Sequence, residues 1–196
     1  MHKNRTQESA NFADLPKIFK LNNELGSIEI SRYGGQLLSY IPKNQKDLFW
    51  LSNQISPPPA AIRGGVPICW PWFAKQGVAS QLPQHGPVRN MPWKVLESYQ
   101  SAQKSIIRLI PEWNENATGL SADEIISIQN SKTIILEALG VEWHELDCIQ
   151  TIELTNTLQQ SIKTKNNSRK SITLTQALHS YFAVADVMNC SINGLE

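Results

Sequence analysis

Ser171-Ile172-Thr173-Leu174-Thr175-Gln176-Ala177-Leu178 decides the fold class, because it alternates with a period of two. Ile172, Leu174 and Gln176 fall on one face and Thr173 and Thr175 on the other, as in a strand with one side on a core. Working outward, the same short alternation recurs in Ser27–Arg32, Gln36–Ile41, Pro92–Tyr99, Lys104–Ile110, Cys148–Asn156 and Leu158–Thr164. Turn signals separate several of these runs: Tyr33-Gly34-Gly35 before the second, and Asn166-Asn167-Ser168 before the quoted stretch. Many short strands joined by polar turns point to an all-β sandwich. Two stretches, Ser121–Ile128 and Ser131–His144, suit a helix as well as a strand.

With 196 residues, 41% apolar and 18% charged, the chain suits one domain with a real core. Eighteen basic against seventeen acidic residues give no field that would draw nucleic acid or an anionic membrane. An anion must therefore be held by a few placed side chains. Met1–Phe12 has scattered charge and no apolar run, unlike a secretory signal. Runs such as Ile106–Ile110 and Ile134–Val141 fall well short of the ~20 residues of a membrane-spanning helix. Cys69, Cys148 and Cys190 are widely spaced and odd in number, which argues against a disulfide framework or a paired-cysteine zinc site. The expectation is a reduced, cytoplasmic, monomeric protein.

The segment from Ile55 to Pro92 breaks the strand pattern and holds eight of the eleven prolines. A loop of that length inside a compact domain is usually functional. It contains Ile62-Arg63-Gly64-Gly65-Val66-Pro67-Ile68-Cys69-Trp70-Pro71-Trp72-Phe73 and Leu82-Pro83-Gln84-His85-Gly86-Pro87-Val88-Arg89-Asn90. Arginine offers a planar fork of donors to phosphate or carboxylate oxygens, and glycine lets the main chain approach a ligand. Pairing of Arg63 and Arg89 with nearby acids or loop carbonyls is the plainer alternative. Trp70, Trp72 and Phe73 read first as core, and second as a sugar-stacking surface. In Ala177-Leu178-His179-Ser180-Tyr181-Phe182, alternation puts His179 opposite Leu178. There it is either an acid–base group or a histidine hydrogen-bonded inside the sandwich.

Taken together in order and spacing, three strings resemble the signature series of the hexose-6-phosphate mutarotases, relatives of aldose 1-epimerase. They are Arg-Gly-Gly-Val-Pro-Ile-Cys-Trp-Pro-Trp-Phe, Leu-Pro-Gln-His-Gly-x-x-Arg-Asn-x-x-Trp and Ala-Leu-His-Ser-Tyr-Phe. The resemblance runs from about Lys17 to the C-terminus, and it implies a galactose-mutarotase-like β-sandwich. It also implies a glucose-6-phosphate 1-epimerase activity: α and β anomers exchange by ring opening and closure, with proton transfer alone and no metal or organic cofactor. By the same resemblance His179 is the catalytic acid toward the ring oxygen, and Arg63, Gln84 and Arg89 bind substrate and its phosphate. His85 is a further sugar contact. Gly86-Pro87-Val88 departs from the aromatic and alanine common before that arginine.

Family members are longer, and the family's aspartate and glutamate base are expected beyond Glu196. The sequence is thus expected to form a sandwich incomplete at its C-terminus. Residues 1–15 are expected to be a flexible N-terminus and 16–196 a single partial domain. Glu142, Glu145 and Asp147, beside Trp143 and His144, read as a solvated charged stretch rather than substitutes for the base. Two rivals stand beside this reading: a mutarotase for unphosphorylated aldoses, and a non-catalytic sugar-phosphate binder.

Overall fold

The computed structural model describes residues 17–56 and 58–194. The expected flexible segment 1–15 lies outside them. An antiparallel three-stranded sheet comes first: β1 (Ile18–Asn23), β2 (Gly26–Ser31) and β3 (Leu37–Pro42), in that order. A second antiparallel sheet follows the chain as β5 (Trp93–Gln100), β6 (Ser105–Pro111), β7 (Leu146–Leu154) and β8 (Leu158–Asn166). Two short strands, β4 (Ile68–Cys69) and β9 (Ala177–Leu178), pair antiparallel and tie the long loop to the C-terminal segment. The expected all-β sandwich is the architecture found.

Alternation explains the packing. Along β6, Ser105, Ile107, Leu109 and Pro111 are buried, and along β7 so are Leu146, Cys148, Gln150, Ile152 and Leu154. These inward residues close on Leu21, Ile28, Ile30 and Leu37 of the first sheet in one continuous core, with Trp70 and Trp93 filling its end near the long loop. Full burial of each leucine or isoleucine among them contributes about 1.5–3 kcal/mol before entropy is counted. β1 carried little alternation of its own: Leu21 alone among its six residues is buried. Its register along β2, from Ile18 opposite Ser31 to Asn23 opposite Gly26, is what makes it a strand.

Two expectations need correction. The candidate helical stretches Ser121–Ile128 and Ser131–His144 are one helix, α1 (Ala122–Leu139), which ends before Val141–His144. Ser121 accepts from the Glu124 amide while the Glu124 side chain accepts from the Ser121 amide, a reciprocal cap. Gly140, at φ +65°, turns its N–H back to Leu136 O and closes the helix. The buried stripe is Glu124, Ile128, Ser131 and Ile135. Half of that stripe is polar, so the apolar periodicity was broken; the buried Glu124 is held by Arg32 Nη1 at 2.7 Å.

The second correction concerns the opening stretch. Of Ser171–Leu178 only Ala177–Leu178 is regular strand. Its partner is β4, flanked in the loop by Pro67 and Pro71, which have no N–H to give. They accept from His179 N at 3.0 Å and Thr175 N at 3.1 Å, but return nothing. The ladder is complete only at Ile68 and Cys69, and loose pairing then continues past Leu178 to Tyr181, whose amide donates to Gly65 O at 2.8 Å.

Candidate active site

Three pieces of chain meet where β4 and β9 pair. The first is the Arg63 turn. Gly64 and Gly65 sit at φ +109° and +59°, and a Cβ at either would fall 2.4 and 2.3 Å from Trp50 O and Leu37 O. Two glycines there let the turn lie flat on β3 and on the chain at Trp50, joined by Gly65 N to Trp50 O and Val66 N to Leu37 O, both 2.7 Å. Arg63 itself is exposed.

The second piece is the His85 turn. His85 and Gly86 are both left-handed, at φ +68° and +70°. His85 is locked from both sides: its amide donates to Ala74 O at 2.8 Å, and its Nδ1 accepts from Ala74 N at 3.0 Å. With Nδ1 an acceptor, the neutral ring carries its proton on Nε2. The third piece is the segment that follows β9, where His179 N donates to Pro67 O at 3.0 Å and Tyr181 O accepts from Trp50 N at 2.9 Å.

The rings gather. Phe73 lies 5.0 Å from His85 and 6.0 Å from His179, the two imidazoles are 5.9 Å apart, and Tyr181 stacks on His179 at 4.9 Å. His179 Nδ1 is buried and has no hydrogen-bond partner among the described residues. Its reading as a histidine satisfied inside the sandwich therefore does not hold at that nitrogen. Burial lowers the pKa of His85, helped by the Arg89 charge and by His179. Burial raises the Cys69 thiol against the pull of the same Arg89. A lowered His85 pKa means the unfolded chain binds the proton more readily, so its contribution to stability is present above the ordinary imidazole value and lost as pH falls through the folded one. Its NMR titration midpoint should lie below the usual ~6.5; a midpoint at or above that value would contradict this packing.

His179 and His85 thus meet directly, with the half-buried Arg89 acting on His85. Gln84 and Arg63 present exposed side chains, with no hydrogen bond from either among the described residues. None of the six ion pairs among the described residues uses Arg63 or Arg89, so the local-acid alternative is not realised there. Trp70 and Trp72 are core, their indoles donating to Thr164 Oγ1 and Pro83 O, each at 2.9 Å. Phe73 alone of that trio reaches the ring cluster. Tyr181 was not singled out from the sequence, although its place two residues after His179 on an extended segment puts both rings on one face.

The carboxylates near Trp143 are occupied elsewhere. Glu142 and Glu145 cap one 3₁₀ turn reciprocally, and Asp147 accepts from Asn167. A separate cleft of about 240 Å³ lies behind the His85 turn, between Pro83, Gly86, Pro87 and Asn90 and the Asp123–Ile134 face of α1; neither histidine lines it.

A sequence profile of the aldose 1-epimerase family matches residues 17–123, more than half of the chain, and takes in the Arg63 and His85 turns. The chain belongs to that family. A "Putative glucose-6-phosphate 1-epimerase" of Salmonella typhimurium is 33% identical over 167 residues, covering 83% of this chain and 47% of the relative. The Escherichia coli protein of the same description is 32% identical over 168 residues, with the same coverage. This epimerase-family chain spans about half the length of these relatives. Among solved structures, a "putative mutarotase" from Salmonella typhimurium superposes with a TM-score of 0.67 at 24% identity, over 88% of this chain and 50% of that one. A Synechocystis protein does so with 0.60 at 18% identity, over 90% and 58%. Both share the fold. Among the described residues no helix is long and apolar enough to cross a membrane.

Proposed function

We propose that this site takes a hexose 6-phosphate and serves the interconversion of its α and β anomers. The observation that carries the reading is His179: a buried imidazole nitrogen without a partner among the described residues, set among Phe73, His85 and Tyr181. Family membership supports anomer exchange, and the described relatives support the phosphorylated sugar.

In this mechanism His179 gives a proton to the ring oxygen as a base takes the proton of the anomeric hydroxyl. The C1–ring-oxygen bond breaks and C1 becomes an aldehyde. Rotation about C1–C2 and closure from the other face return both protons and yield the other anomer. An imidazole can both give and take a proton, which is what a step that needs the proton given and retrieved requires. His85, neutral and with Nε2–H free of Ala74, donates to a sugar hydroxyl. Arg63, Gln84 and Arg89 hold the substrate and its phosphate, the two guanidiniums having no acid partner to release first among the described residues. The three motifs supply the acid and the binding groups, not the base.

Arg89→Ala tests the anion assignment. A hydrogen bond to a charged group contributes about 1.5–3 kcal/mol, so glucose 6-phosphate should bind about ten- to a hundredfold more weakly. Glucose binding should change little. A larger loss for glucose would favour the unphosphorylated-aldose reading. One observation favours the binder reading: Glu142 and Glu145 are committed to a reciprocal cap, and Asp147 to Asn167. Binding of glucose 6-phosphate without faster anomer exchange would select it.

A further inference from the structure

We infer that Gln36 is the positioning residue of the Arg63 turn: its buried amide holds the carbonyls on both sides of Arg63 and so sets where the guanidinium stands. The inference deepens the phosphate reading, on which it rests only for what Arg63 touches.

Gln36 is 1% exposed. Its Nε2 lies 2.6 Å from Gly64 O and 3.4 Å from Ile62 O, and an amide NH₂ has one proton for each. Arg63 sits between those two carbonyls. Its side chain makes no ion pair or hydrogen bond among the described residues, so its place depends on its backbone. That backbone is tied to its neighbours by Ser52 N donating to Arg63 O at 3.0 Å and Gly65 N to Trp50 O at 2.7 Å, and Gln36 is the one side chain among the described residues that bonds it. Gln36 is itself anchored. Its carbonyl accepts from Ser31 N at 2.8 Å, and the neighbouring Gly35 O accepts from Gln150 Nε2 at 2.7 Å. Gln160 Nε2 in turn donates to Gln150 Oε1 at 2.7 Å. A line of buried and half-buried amides thus runs from β8 through β7 to the turn that carries the cation. An apolar residue of the same length at 36 would fill the space and leave two loop carbonyls unpaired.

Gln36→Met tests this without any ligand, by amide hydrogen exchange. In the variant, Gly65 N–H (bonded to Trp50 O) should exchange about tenfold faster or more, with Trp93 N–H (bonded to Arg32 O) nearly unchanged, because local opening is confined to the turn. The two amides speeding up together, or neither changing, would overturn the inference. A titration with glucose 6-phosphate gives the second readout. Gln36→Met should weaken binding about five- to twentyfold in the wild-type background and add nothing in Arg63→Ala, the non-additivity of residues acting as one unit. Equal weakening in both backgrounds would overturn it. Absence of glucose 6-phosphate binding in the wild type would contradict the phosphate reading, and the exchange comparison would still decide the clamp. If Gln36→Met does not fold, the wild-type Gln36 side-chain protons decide: protection like that of Gly65 supports the clamp, and free exchange overturns it.

Discussion

Gly86→Ala will lower the melting temperature by about 10–15 °C, the signature of a loss of roughly 4 kcal/mol in a chain of this size. The reason is steric as well as conformational. Gly86 sits at φ +70°, where an L-residue is strained, and a Cβ there would stand 1.9 Å from Trp70 O and 2.5 Å from its carbonyl carbon. Those are backbone atoms at a buried tryptophan, so neither side can yield without moving the core. Gly77→Ala separates the two contributions. Gly77 has a similar φ of +72° but nothing within 4 Å of the added carbon, so it should lose only about 1–2 kcal/mol. Equal melting temperatures for the two variants would contradict the close approach of the His85 turn to Trp70.

His179→Ala should reduce anomer exchange by about a hundred- to ten-thousandfold, the usual worth of a positioned acid. Binding of glucose 6-phosphate should stay within a few-fold, because the guanidiniums of Arg63 and Arg89 are untouched. The substitution also removes the ring stacked on Tyr181 and facing Phe73, so a melt must accompany it. His179→Gln keeps part of that packing and a donor, but cannot give and retrieve a proton near neutrality. Exchange surviving in His179→Gln at the wild-type rate would assign the ring a packing role only.

The sandwich was legible because its strands are half-buried and alternate: Ile107, Leu109, Ile152 and Leu154 show period two and fill the core. Strands lacking that contrast were not. β1 buries one residue in six and is defined by its partner β2. The helix was blurred because Glu124 and Ser131 occupy its buried stripe, although the Ser121-x-x-Glu124 cap marks its start once sought. The Ser171–Leu178 strand was read too early in the chain, since prolines in a partner cannot be weighed before the partner is known. In the site, the motifs pointed to Arg63, Gln84, His85, Arg89 and His179; the fold puts the two imidazoles in contact with the Arg89 charge acting on His85, and leaves Arg63 and Gln84 exposed. Gln36 carried no signal of its own: it reads only as the first residue of the Gln36–Ile41 run until the Arg63 turn is laid over it.

The most direct test of the central claim is exchange NMR between the anomers of glucose 6-phosphate, corrected for spontaneous mutarotation. The chain is measured alone and fused after Glu196 to the remaining C-terminal portion of the Salmonella relative, each with His179 and with His179→Ala. The expected result is acceleration in at least one form, lost in its His179→Ala variant while binding persists. Acceleration that His179→Ala leaves intact, or exchange at the spontaneous rate in both forms, would contradict it.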